Sequence, residues 1–424
     1  MAIDPEEFKQ RRLQRQQQRQ ANHRKTVVKL ILAAIALVLC GVLIVVFTRP
    51  GKQPQAPDTT TVPSTSAQSG QTDPSAGSAT EPTTVIHFAA AGDLNITDNV
   101  VAAGGNDLNY TNALLDVAHL LADADISAVN FEGNLCDAPY GSTKSAPLSL
   151  AQALADAGVD LLQLANSYSI NFGMSGLATT IDRVRSAGME PLGVYASQAE
   201  FEAAKGYTLR NVKGVKIAFV SFTKGMDGLA LPAGNENCVN VLYKDYSTTY
   251  QEIDTERINA ILDAVAEEEP DLTVALLHWG SEYNDTISTS QTEIRDLFLE
   301  KGVDAIIGTH SHYLHKMEFD PEKGTFVAYS LGDFFGDAQR SGSEYSVVLD
   351  LEITKDNTTG ETKITGYDYT PIFTVAEADK SLRVVRIGET MTAFENFYID
   401  RVSQTTYEAM QNALQRIEAR IKGE

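Results

Sequence analysis

The stretch Ala305–His315, "AIIGTHSHYLH", decides how the rest of the chain is read. A short apolar run, of a length suited to a buried strand, stops at Gly308, and His310, His312 and His315 follow. His310 and His312 are two apart, and residues two apart on extended chain share a face. His315 lies off that spacing and reads as a surface residue. Three other apolar runs end in the same manner: "VIHFAAAGD" at Asp93, "ISAVNFEGN" at Glu132 and Asn134, and "LTVALLHWGSEY" at His278 and Glu282. In open α/β sheets the carboxyl ends of strands carry ligand sites, because side chains there project from rigid elements into a crevice. One Asp, one Glu and three imidazoles are the oxygen and nitrogen donors that divalent ions take. Taken singly, each has a bland reading. A Gly-Asp can be a turn, Glu132 a salt-bridged rim residue, and His278 beside Trp279 a packed core histidine. The candidate metal ligands are therefore read as a set: Asp93, Glu132, His278, His310 and His312.

Outward from these ends, apolar runs at 85–91, 126–131, 161–165, 215–222, 272–278, 305–308 and 326–331 predict strands. Amphipathic stretches at 111–122, 148–157, 174–187, 250–268 and 289–301 predict helices between them, an α/β alternation in which helices cover sheet faces. After Asp333 the pattern alternates through "YSVVLDLEITKDNTTGETKITGYDYTPIFTV", with a turn at "NTTGE", and reads as a β-hairpin extending a sheet. The main body is placed at 85–375 and a C-terminal helical extension, with a final helix at about 402–421, at 376–424.

The first 52 residues hold ten Lys/Arg against three acids, whereas the 424-residue chain carries −22. The body is thus strongly acidic, which disfavours nucleic acid as a partner and favours cations. "LILAAIALVLCGVLIVVF" (30–47) has no charged residue, and with its flanks (27–48) it is long enough for a transmembrane helix. The cationic excess precedes it, so the basic tail 1–26 is expected in the cytoplasm and everything after the span outside, in a single-pass cell-membrane protein. Residues 49–84, made of Pro, Ser, Thr, Gly and Gln, read as a disordered tether. Cys136 and Cys238 fall in the outer part, where a disulfide is chemically permitted.

The ordered motifs "AAGDLNITDN", "VNFEGNL", "LANSYSINFG", "LLHWGSEY", "GTHSHYLHKME" and "YSLGDFF" resemble those of the poly-γ-glutamate capsule synthesis (CapA) family, a branch similar to the calcineurin-like metallophosphoesterases. The resemblance covers about 85–337. It implies an α/β (α+β) four-layer αββα sandwich, two sheets face to face with helices outside, and a centre of two divalent ions, Mn, Fe or Zn. It further implies that Asp93, Glu132, His278, His310 and His312 hold those ions. The partners implied are an anionic envelope polymer, poly-γ-glutamate or similar, and other membrane proteins of polymer synthesis.

One motif departs from the pattern. Where the family reads Leu-Ala-Asn-Asn-His-x-x-Asp-x-Gly, Asn166 stays, but Ser167, Tyr168 and Asn171 replace Asn, His and Asp; Asp98 also stands where the family usually has Arg. Tyr168 takes the place of a proton-donating histidine and is a weak acid by comparison. Asn166 and Tyr168 are the candidate catalytic residues, Asn166 by moving in to ligate. Two readings follow: a two-metal hydrolase of phosphoester-type bonds, slowed by the altered motif, and a non-catalytic metal-binding scaffold or polymer-binding module for export.

Overall fold

The computed structural model describes residues 82–338, 340–377, 381–396 and 402–424. Along them run fourteen strands: β1 (Thr83–Asn95), β2 (Ile126–Glu132), β3 (Leu161–Gln163), β4 (Glu190–Leu192), β5 (Tyr207–Val212), β6 (Val215–Thr223), β7 (Leu272–His278), β8 (Ala305–Thr309), β9 (Met317–Asp320), β10 (Thr325–Ala328), β11 (Asp333–Phe335), β12 (Tyr345–Asp356), β13 (Thr362–Ala376) and β14 (Leu382–Arg386). They form two sheets. One has the order β14-β13-β12-β1-β2-β3-β4, with β11 pairing beside the end of β1; the other has the order β5-β6-β7-β8-β10-β9. In the first, β1 to β4 are parallel and β12 to β14 add antiparallel strands. In the second, β6, β7, β8 and β10 are parallel.

Alternation along the strands builds the layers. On β1, Ile86, Phe88 and Ala90 share an apolar core with Ile217 and Phe219 of β6 and with Val274 and Leu276 of β7, so the sheets pack face to face. Phe88 and Phe219 meet across this interface with ring centroids 5.7 Å apart. The opposite face of the first sheet, through Ala89, Val129 and Leu162, packs on Leu150, Leu154, Leu177 and Ile181 of helices Leu148–Asp156 and Gly173–Ser186. The outer face of the second, through Val220, Ala275 and Ile306, packs on Ile261, Leu262, Ile294 and Phe298 of helices Thr255–Ala266 and Thr289–Glu300. Helix, sheet, sheet and helix make the four layers, and residues on β6, β7 and β8 are buried on both faces, which is why those strands read as largely apolar runs.

Several expectations need correction. The segment after 375 is not a purely helical extension: β14 pairs with β13, and the last helix, Gln404–Lys422, inserts Met410, Ala413, Ile417 and Ile421 into the core between the sheets. The stretch 111–122 is two short helices, Thr111–Leu114 and Ala118–Ala122. β1 begins at Thr83, inside the stretch assigned to the tether. His310 and His312 are not on extended chain; both have positive φ, 93° and 59°, immediately after β8 ends. His315 is buried, not a surface residue. The basic tail, the expected membrane span 27–48 and the tether up to residue 81 lie outside the described residues; among the described residues no helix is long and apolar enough to cross a membrane.

Candidate metal centre

Two Gly-Asp pairs bring the first carboxylates together. β11 lies parallel to the end of β1 with Asp93 in register with Asp333, and Asp93 N–H donates to Gly332 O at 2.9 Å. A Cβ at Gly92 would fall 1.8 Å from Gly332 O, so only glycine permits that approach. Glu132 ends β2 beside β1, opposite Asn95. His278 ends β7, in register with Thr309 at the end of β8, and His310 and His312 follow in the left-handed turn. Left-handed backbone at two non-glycine residues is costly and is held by the surroundings: His310 N–H donates to Asp93 Oδ2 at 3.0 Å.

At this end of the sandwich the donors fall into two overlapping sets. Glu132, His278 and His310 form one; Asp93, Glu132 and His312 form the other; within each, the ligand atoms all lie within 4.8 Å of one another, and every residue is buried. Glu132 belongs to both. All five predicted ligands are thus brought together, with the rings of His278 and His310 4.4 Å apart.

The electrostatics are those of a site short of positive charge. Burial, and then Asp333, outweigh the His312 charge and raise Asp93 to about 6. Burial and the neighbouring Asp93 hold Glu132 well above the usual carboxylate range. Burial pushes Asp333 up as well. It also pushes His312 down, but Asp333, Glu132 and Asp93 together outweigh it and hold the ring's pKa well above the ordinary value. His278 and His310 go the other way, lowered well below the histidine range by burial first and then by neighbouring rings and Lys224. Both therefore keep neutral imidazoles with a lone pair to offer. The Nδ1 atom of His310 is buried without a hydrogen-bond partner, a cost that a coordinated cation would remove. Three buried carboxylates, two neutral imidazoles and one orphaned ring nitrogen fit divalent ions.

Sequence reasoning missed the supporting residues. Asp333 accepts from His312 Nδ1 at 2.7 Å and fixes that ring. Asn130 donates to Asp93 Oδ1 at 2.6 Å, and its amide nitrogen lies 3.4 Å from Glu132 Oε1. The signal for Asn130 was present, since it stands two residues before Glu132 on β2 and shares its face. Ser167 Oγ lies 3.1 Å from His278 Nε2, so this replacement touches a ligand ring.

The two candidate catalytic residues fare differently. Asn166 does not reach the donor sets: its amide donates to Phe131 O at 2.7 Å and Asn130 Oδ1 at 3.2 Å, and its Oδ1 accepts from Tyr168 N–H at 3.0 Å. In this arrangement it braces Asn130 from behind. Tyr168 is half-buried beneath the ammonium of Lys144, 4.3 Å from the ring centroid, and burial pushes its hydroxyl further above its ordinary pKa. Glu282 stays out of both sets, the Asn134 amide donates to Ser169 O at 3.4 Å, and His315 bonds to Asn284 O at 2.9 Å. Cys136 and Cys238 are both buried free thiols, not a disulfide.

The chain is 29% identical over 220 residues to the capsule biosynthesis protein CapA of Bacillus anthracis, covering 51% of this chain and 49% of that protein. It is 27% identical over 246 residues to the PGA biosynthesis protein CapA of Bacillus subtilis, covering 58% and 60%. The chain thus spans about half to three-fifths of the length of these relatives. Among solved structures, the calcineurin-like phosphoesterase YfkN of Bacillus subtilis superposes with a TM-score of 0.42 at 17% identity, over 79% of this chain and 98% of that one. The profile of one family, described as bacterial capsule synthesis protein PGA_cap, matches residues 87–338, more than half of the chain and a range that includes the five candidate ligands. The chain belongs to the bacterial capsule synthesis protein family PGA_cap.

Proposed function

We propose that this chain is a membrane-anchored, extracytoplasmic protein of capsule or poly-γ-glutamate synthesis and export. In this reading it holds two divalent ions on Asp93, Glu132, His278, His310 and His312 and hydrolyses phosphoester-type bonds. The observation that carries it is the sharing of Glu132 by two buried three-residue donor sets at one end of the sandwich. Family membership and the names of the Bacillus relatives support the polymer. The apolar span behind a basic tail supports the anchor.

Bound there, the ions supply Lewis-acid polarisation of the bond to be cleaved. The chain's own residues prepare the place. His278 and His310 remain neutral and available as donors, Asp333 orients His312, and Asn130 bridges toward Asp93 and Glu132 so that neither carboxylate swings away. Tyr168 keeps its proton at neutral pH, so it serves as a hydrogen-bond donor to an anionic oxygen rather than as an efficient acid. That same observation favours a second reading, a metal-holding polymer-binding module without turnover. Assay of the purified full chain on a generic phosphodiester with added manganese separates them: metal-dependent turnover supports the hydrolase, and bound metal with no turnover supports the binding module. A reporter fused after Glu424 should give an extracytoplasmic signal, and a cytoplasmic one would overturn the proposed topology.

A further inference from the structure

The departures from the family motifs lie far apart in sequence yet meet at one loop. Asp98 Oδ1 accepts from Ser142 N–H at 2.7 Å. Asn171 Nδ2 donates to Thr143 O at 2.9 Å, a bond an ionised aspartate at this position could not make. Tyr168 lies under the Lys144 ammonium, 4.3 Å from its ring centroid. Three residues that weaken the expected chemistry thus contact three consecutive residues, 142 to 144.

The loop itself is tightly determined. Lys144 has φ 64°, in the left-handed region; its N–H donates to Gly141 O and its carbonyl accepts from Asn134 N–H, both at 2.7 Å. Gly141 has φ 93°, and a Cβ there would fall 2.2 Å from Asp98 Oδ1 and 2.9 Å from Asp98 Cα, so a side chain at this position is strained. The side chain is equally fixed: Nζ donates to Asn95 Oδ1 at 2.9 Å and Ile96 O at 3.1 Å, and Asn95 is the register partner of Glu132. An ammonium has three N–H donors, and among the described residues the third has no hydrogen-bond acceptor. Burial lowers the pKa of Lys144, opposed first by Glu132 and then by Glu282, Asp337 and Asp333.

We infer that Asp98, Tyr168 and Asn171 position the 141–145 loop so that Lys144 grips an anionic oxygen of the substrate beside the metal centre. This replaces the cation that Asp98 removed from the expected pattern. The inference rests on the metal-centre reading for the location of the substrate, but not for the binding itself. A fixed ammonium, half-buried and backed by an aromatic face, is a directed point charge for a phosphate or carboxylate oxygen.

The test measures affinity by calorimetry for two probes, inorganic phosphate and a short γ-linked glutamate oligomer. It compares the full chain with Lys144→Met and Lys144→Arg, with and without manganese, and metal content is determined on each sample. Lys144→Met should weaken one probe roughly 10- to 100-fold at unchanged metal content. Lys144→Arg, which keeps the charge, should recover most of the loss. Weakening of phosphate alone assigns the oxygen to a phosphoryl group, and weakening of the oligomer alone assigns it to a polymer carboxylate. Equal affinity of wild type and Lys144→Met for both probes overturns the assignment, even if metal is bound. If the wild type binds no metal, the metal centre falls, while a Lys144-dependent affinity measured without manganese still supports this loop. Should Lys144→Met fold poorly, Asn171→Asp is the second variant: it breaks only the bond to Thr143 O and should weaken the same probe, and unchanged affinity counts against the positioning argument.

Discussion

Glu132→Gln separates a metal centre from a buried polar cluster, because it acts with opposite sign on the two states of the chain. Without metal, Glu132 is buried against Asp93 and Asp333, and burial followed by Asp93 holds its pKa well above the usual range. An ionised carboxylate there is a cost to folding, and the neutral, isosteric amide removes it. With metal, both donor sets lose their shared carboxylate and keep at most one neutral amide oxygen in its place, a much weaker donor for a divalent ion. Metal at about 100 times its Kd stabilises a folded chain by about 2.7 kcal/mol per ion. A folded body of about 340 residues has an unfolding entropy of about 0.7 kcal/mol/K, so one ion raises Tm by about 4 °C and two by about 8 °C. Scanning calorimetry of wild type and variant, in chelator and in excess manganese, reads both effects. The wild type should gain about 8 °C with manganese, and the variant should gain at most about 2 °C while melting in chelator no lower than the wild type. An equal metal-induced gain in both proteins would refute the shared-ligand reasoning.

Other predictions follow from the same geometry. Asp333→Asn should weaken metal binding by roughly 10- to 100-fold, since Asp333 orients His312 without belonging to either donor set; unchanged affinity by competition with a chelating dye would remove it from the site. Tyr168→His restores a group that titrates near neutrality, and if the centre is hydrolytic it should raise phosphodiester turnover by about 10²–10⁴; no increase would argue for the binding module. Metal affinity should fall as pH drops through about 6, because Asp93, whose pKa burial raises to about 6 in the metal-free chain, then takes a proton that must leave before a cation binds, and Glu132 and His312, both held well above their ordinary values, add proton competition in the same direction. His278 and His310, lowered well below the histidine range, add no such competition in that window. Affinity that stays level between pH 7 and 5 would contradict this assignment.

How much of this was legible depends on the kind of residue. β6, β7 and β8 are largely apolar runs, and Asp93, Glu132, His278, His310 and His312, at or just past the ends of β1, β2, β7 and β8, reach one site. β5, a half-exposed edge strand reading "YTLRNV", and β11, three residues long, carry too little pattern to be recognised, and with β11 went Asp333. His310 and His312 were picked for a spacing that assumes extended chain, yet their convergence comes from left-handed backbone that no local residue type announces. β14 was hidden because the short run "LRVVR" is read as strand only when β13 lies beside it. The loop around Lys144 was invisible for another reason: Asp98, Tyr168 and Asn171 looked like separate losses until the fold placed them around residues 142–144.

The most direct test is the metal content of the purified full chain, by plasma mass spectrometry after reconstitution with manganese, iron or zinc and removal of the unbound ion. The account predicts about two ions per chain in the wild type, one for each of the two donor sets that share Glu132, and close to none when His310→Ala and His312→Ala are combined. A wild-type chain that retains no metal, or a double variant that retains as much as the wild type, would contradict it.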